Sequence, residues 1–145
     1  MTVALDTASK LAIHELLSRA AYALDERDVE MLAASFASDA AFSMRIAGGD
    51  LVGPFESREG IMELMTGSMA QQTDKRRHVV SNIFFPAEAD ESGAEGVAVT
   101  SNLTLLATEA GAITLLSAGV YHDRVVHRNG HWELLLRHLE LDKSY

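Results

Sequence analysis

The sequence predicts an α+β fold in which about three N-terminal helices close a cone-shaped, strongly curved antiparallel sheet around a pocket. Two observations predict it. Helical periodicity is confined to the first half of the chain, and from His78 onward the chain reads as long strands joined by short turns. Helices followed by a run of hairpin strands place the helices on one face of an antiparallel sheet. A small-residue break inside a long strand, Ala118-Gly119, is where such a sheet bends.

From Thr7 to about Leu24, apolar residues recur at Leu11, Ile13, Leu16, Leu17, Ala20, Ala21 and Leu24, the pattern of an amphipathic helix. Asp28 reads as the N-cap of a second, short helix through Met31, Leu32 and Phe36, which Ser38-Asp39 ends. Ala41 to Ile46 predicts a strand, Gly48-Gly49-Asp50 a turn, and Leu51-Val52 a short strand stopped by Gly53-Pro54. Ser57 caps a third helix from Arg58 to about Met69. His78–Phe85, Gly96–Thr108, Ala112–His127 and His131–Leu141 then read as strands. Glu109-Ala110-Gly111 and Asn129-Gly130 form the turns, the latter being the strongest hairpin signal in the chain.

The 145 residues amount to one domain, 1–145, with no repeat, low-complexity tract or linker. A formal charge of −9 argues against nucleic acid, whose phosphates are held by clustered cations; Lys75-Arg76-Arg77 is too short a run to reverse this. With no cysteine, disulfides, thiolate metal sites and a cysteine nucleophile are excluded. No stretch approaches the roughly 20 apolar residues needed to span a bilayer. Asp6 and Lys10 interrupt any signal-peptide pattern, so the cytoplasm is the expected location.

Three residues could carry chemistry. Asp25 lies four residues after Ala21 and eight after Leu17, toward the apolar side of the first helix and at its C-terminal end. There the macrodipole disfavours negative charge, so the carboxylate needs a donor or a cation. The alternative is a surface acid paired with Arg19 or Arg27. Strand alternation puts Arg76, His78, Val80, Asn82 and Phe84 on one face. His78 and Asn82 then suit a pocket wall, while a core histidine bonded to a carbonyl fits equally. Arg137 shares a face with Leu135, Leu139 and Leu141. Arginine is rarely buried unpaired, so it implies a carboxylate partner, a ligand anion or a pocket opening. A structural salt bridge is the alternative. Tyr22, one helical turn before Asp25, and Tyr121 could present hydroxyls to the same pocket. His14, His122, His127 and His131 look peripheral, and no pair of histidines has metal-ligand spacing. Phosphate-loop, nucleophile-elbow and dinucleotide signatures are absent, so neither a metal nor a cofactor is expected.

The segments Ile13-His14-Glu15-Leu16-Leu17, Ala23-Leu24-Asp25-Glu26-Arg27-Asp28 and Phe36-Ala37-Ser38-Asp39-Ala40 together resemble the opening of SnoaL-like domains of the nuclear-transport-factor-like superfamily. Gly60-Ile61, Arg77-His78-Val79-Val80-Ser81-Asn82, and Tyr121 leading through Arg128-Asn129-Gly130 to Trp132 extend the resemblance over nearly the whole chain. Within that superfamily it is similar to scytalone-dehydratase-like enzymes, hexachlorocyclohexane dehydrochlorinase and the β subunits of aromatic-ring-hydroxylating dioxygenases. In the first two an Asp ending the first helix and a His opening a strand form a catalytic dyad, and Asp25 and His78 fall on those positions. Arg137 matches an Arg on the dehydrochlorinase's last strand. The chain departs from the dehydrochlorinase at Ala20, where a Lys stands. It departs from scytalone dehydratase near Ala107, in place of a second His, and at Leu24 and Met44, near its two tyrosines.

The resemblance implies a cofactor-independent lyase or isomerase, dehydratase- or dehydrohalogenase-like, on a small, mostly apolar, in some cases cyclic substrate. His78 would be the general base, oriented by Asp25, with Arg137 and Tyr22 or Tyr121 stabilising developing charge and Asn82 in the pocket wall. A non-catalytic ligand-binding domain or a dioxygenase β-subunit-like structural protein is the alternative. Resemblance also implies a homodimer or homotrimer through the sheet's outer face, where Thr100, Asn102 and Thr104 lie.

Overall fold

Asp6 Oδ1 accepts the Ser9 N–H at 2.8 Å and starts α1 (Thr7–Glu26), satisfying one of the helix's orphan donors. Ile13, Leu16, Leu17, Ala20 and Ala23 line its buried face, as the spacing predicts. The helix ends at Arg27, whose left-handed backbone (φ 56°) turns the chain so that Asp28 can cap α2 (Val29–Ala34) through the Met31 N–H at 3.0 Å. The computed structural model describes residues 5–86 and 95–145.

Two elements differ from the sequence expectation. α2 stops at Ala34, and Phe36 already opens β1 (Phe36–Ile46). Tertiary bonds decide this: the Arg58 guanidinium donates to the Phe36 carbonyl at 2.9 and 2.6 Å, and Leu134 N–H donates to Ser35 O at 2.8 Å. Nor does Gly53-Pro54 stop a strand, since β2 (Val52–Glu56) runs through it. β2 is an edge strand, where a proline without an N–H is tolerated. Ser57 Oγ accepts the Gly60 N–H at 3.1 Å at the start of α3 (Ser57–Gln71).

β3 (Lys75–Phe84), β4 (Val97–Glu109), β5 (Ala112–Arg128) and β6 (His131–Leu141) complete a six-stranded sheet in the order β2-β1-β6-β5-β4-β3. The β1–β6 pair is parallel, so the sheet is mostly rather than wholly antiparallel. It is curved and unclosed, with the helices against its inner face. Local irregularities bend it. Asn82 and Ile83 together oppose Ser101, Leu116 is an extra residue between the Leu105–Ser117 and Leu106–Leu115 pairs, and Leu135 is extra between Leu134 and Leu136. At Gly119 a Cβ would stand 2.4 Å from the Glu140 carbonyl oxygen, so only glycine admits that approach of β6. Val99, Leu103, Val125, Leu134 and Leu139 meet α1 and Ile61 of α3 in the core.

The bulges overturn two face assignments made from strict alternation. Leu134 is fully buried on the inner face because Leu135 absorbs the extra step. Asn82, in the left-handed region at φ 54°, is exposed, while Ile83 turns in and Phe84 turns out to 53 % exposure. Asparagine tolerates that conformation better than a branched residue.

Candidate active site

Three side-chain contacts fasten the end of α1 to the start of β3. Arg27 Nη2 donates to the Asp74 carbonyl at 2.9 Å, Arg77 Nη1 to Glu26 Oε2 at 2.9 Å, and between them Asp25 meets His78. Asp25 Oδ1 lies 2.5 Å from His78 Nδ1, and both carboxylate oxygens accept the His78 backbone N–H, at 3.0 and 2.9 Å. The side chains are 7 % and 10 % exposed. A carboxylate is an acceptor only, so Nδ1 carries a proton, and the neutral tautomer that fits this bond has its lone pair on Nε2. Asp25 thus has the donors that its place at a helix C-terminus demands.

Arg137 reaches the same interior from β6. Its Nε and Nη2 donate to Asp123 Oδ1 and Oδ2, each at 3.0 Å, in a two-pronged pair whose side chains are 7 % and 0 % exposed. Its guanidinium carbon lies 3.8 Å from the centre of the Tyr121 ring. Burial alone would lower the Arg137 pKa, but Asp123 outweighs it and holds the guanidinium charged. Burial pushes the Tyr121 hydroxyl up to about 12 against the opposing pull of Arg137, with Asp123 and Asp25 adding to the rise. Tyr121 is therefore a neutral donor at ordinary pH.

Of the six sequence candidates, Asp25, His78, Tyr121 and Arg137 share the interior. Tyr22 and Asn82 do not. Tyr22 is 59 % exposed, because it falls about 60° further round α1 than Asp25, on the side turned from the sheet. Asn82 is carried outward by its bulge. For Arg137 the structure supplies the carboxylate partner that its burial implies, since its forked edge is paired with Asp123. Sequence reasoning missed Asp123, although it is the one acid on β5 and lies opposite Arg137 in register. It missed Ser101 too, which is 0 % exposed, opposite Tyr121, with a hydroxyl lacking a hydrogen-bond partner among the described residues. Nothing in a Ser on a half-apolar strand signals that.

Two clefts open elsewhere, one of about 800 Å³ between α1, α2 and the β5–β6 hairpin, and one of about 340 Å³ on the outer face of the sheet. Neither is lined by Asp25 or His78, although Asp123 and Arg137 border the smaller one through the sheet. Among the described residues no group of three or more His, Cys, Asp or Glu is placed to hold a metal ion, and no helix is long and apolar enough to cross a membrane.

Comparison with known proteins yields consistent relatives. A protein with a cystatin-like fold from Nostoc punctiforme, its function unknown, is 26 % identical over 98 % of this chain and 97 % of its own, with a TM-score of 0.73. A candidate scytalone dehydratase from Novosphingobium aromaticivorans is 24 % identical over 92 % and 84 %, with a TM-score of 0.71. The β subunit of a candidate aromatic-ring-hydroxylating dioxygenase from the same organism is 20 % identical over 95 % and 92 %, with a TM-score of 0.76. The last two share the fold. No curated protein matches. The model of the SnoaL-like domain matches residues 6–138, and the chain belongs to that family.

Proposed function

We propose that the protein is a cofactor-independent lyase or isomerase that removes a proton from carbon in a small, largely apolar substrate, cyclic compounds included. What supports this above all is the 2.5 Å contact between Asp25 and His78 Nδ1 in a nearly enclosed interior. With Nδ1–H bound to the carboxylate, Nε2 accepts the substrate proton, and Asp25 stabilises the imidazolium that forms. Tyr121, protonated and packed under Arg137, donates to the oxygen or leaving group on which negative charge grows. Arg137 is then a positioning residue: Asp123 fixes its fork, and its face fixes the Tyr121 ring. The likeness to a candidate scytalone dehydratase is compatible with loss of water as the second half of the reaction.

We also place self-association on the outer face at the β3–β4 side, where Val79, Ile113 and Leu115 are 45 %, 72 % and 62 % exposed around Thr104 and Asn102.

The test of the reaction uses small cyclic ketones bearing a β-hydroxyl or β-halide. Release of water or halide by the wild type should vanish in His78→Ala, while a thermal melt shows that variant folded. Undiminished release from folded His78→Ala removes the general-base reading.

A further inference from the structure

The outer face of the sheet carries a second constellation that the interior dyad does not use. Ser43 on β1 and His138 on β6 are register partners in the parallel pair, and Ser43 Oγ lies 2.7 Å from His138 Nδ1. On the other side of the ring, His138 Nε2 contacts Glu140 Oε2, two residues along the same strand and so on the same face. Because a carboxylate only accepts, Glu140 places the imidazole proton on Nε2 and leaves Nδ1 as the bare nitrogen facing the serine hydroxyl. A serine hydroxyl donating to an imidazole that a carboxylate orients is the arrangement that activates a nucleophile, recognised by roles and geometry rather than by sequence order.

This relay borders the cleft of about 340 Å³, a size that holds a small molecule. Ala41, Pro54, Ala98 and Leu136 give the cleft small apolar walls, suited to a short acyl chain. Thr100 and His122 line it as well, adding hydroxyl and imidazole donors, and the His122 ring is stacked on His138 with centroids 6.4 Å apart. Ser43 is half-buried, and the His138 and Glu140 side chains are 28 % and 38 % exposed, so solvent and a small substrate reach them.

We propose that Ser43, His138 and Glu140 form a second site that hydrolyses small carboxylic esters by acyl transfer. Ser43 Oγ adds to the ester carbonyl carbon as its proton passes to His138 Nδ1. The carbon–oxygen bond to the alcohol then breaks, and the departing oxygen takes that proton from Nδ1. Water, deprotonated by the same nitrogen, adds to the acyl-serine, and the carboxylic acid leaves as the proton returns to Ser43. The relay faces away from Asp25 and His78, across the sheet from Asp123 and Arg137, which border the same cleft, and it does not depend on the lyase or isomerase reading.

The experiment treats the full chain with an alkyl fluorophosphonate and with p-nitrophenyl butyrate. One adduct per chain, mapped by mass spectrometry to Ser43, is expected. Labelling should disappear in Ser43→Ala and in His138→Gln, which keeps the serine but loses the base. Ester hydrolysis should fall by about a hundredfold or more in each, with thermal melts reporting folded protein. No adduct, an adduct on another residue, or hydrolysis that persists in Ser43→Ala would overturn the proposal, the last because a surface histidine alone then accounts for the hydrolysis.

Discussion

Replacing Asp123 by Ala strands the Arg137 guanidinium in an environment where it is 7 % exposed and has lost both of its 3.0 Å acceptors. Two unit charges about 4 Å apart attract by about 4 kcal/mol at an effective dielectric near 20. Breaking a buried pair by removing one partner costs about 3–5 kcal/mol, because the survivor's desolvation goes uncompensated. For a chain of 145 residues that corresponds to a fall in melting temperature of roughly 10 °C or more. The double variant Asp123→Leu/Arg137→Met removes both charges and should recover most of the loss. It should not recover the stacking of a cation on Tyr121, worth about 2 kcal/mol when desolvated. Urea unfolding of wild type, Asp123→Leu, Arg137→Met and the double variant completes the cycle, provided the denaturant slopes agree. A loss below about 1 kcal/mol in Asp123→Ala would be the behaviour of a surface ion pair and would refute the buried-pair account.

Two further outcomes follow from the same structure. The Tyr121 pKa is raised from 10.0 to about 12, so the unfolded chain gives up this proton before the folded one does. Stability from this group is therefore full below pH 10 and declines between about pH 10 and 12, by a few kcal/mol at most, and Tyr121→Phe should flatten that part of the profile in urea melts. The proposed assembly covers the exposed Val79, Ile113 and Leu115, and light scattering at micromolar concentration that reports a monomer for the wild type would contradict it.

The helices and hairpins were legible because their signals are local. The buried stripe of α1, the Asp28 cap and the Asn129-Gly130 turn are each set within a few residues. What sequence could not reveal depends on partners far along the chain. Phe36 to Ala40 carries no strand signal strong enough to outweigh a continuing helix, yet Arg58 and β6 pull it into the sheet. The parallel β1–β6 pair requires α3 and four strands to intervene, and no local pattern encodes it. Bulges at Asn82 and Leu135 break the period of two on which face assignments rest, which is why Asn82 lies outside rather than in a pocket wall and Leu134 joins Arg137 on the inner face. Arg137 was legible as a buried cation in need of an acid, whereas its stacking on Tyr121 came only with the curvature that brings β5 and β6 side chains together. Tyr22 failed for a simpler reason, since the three residues from Tyr22 to Asp25 fall about 60° short of a full turn.

The central claim is that His78, held by Asp25, takes a proton from carbon, and deuterium exchange measures that step whatever leaves afterwards. In heavy water the wild type should replace the α-hydrogens of a small cyclic ketone with deuterium well above the buffer rate, read by proton NMR. Asp25→Asn keeps the side chain's shape but loses its charge, and should slow exchange by about a hundredfold or more. His78→Ala should exchange no faster than buffer. A folded His78→Ala protein that exchanges as fast as wild type, or a wild type that never exceeds buffer across a panel of such ketones, would contradict the account.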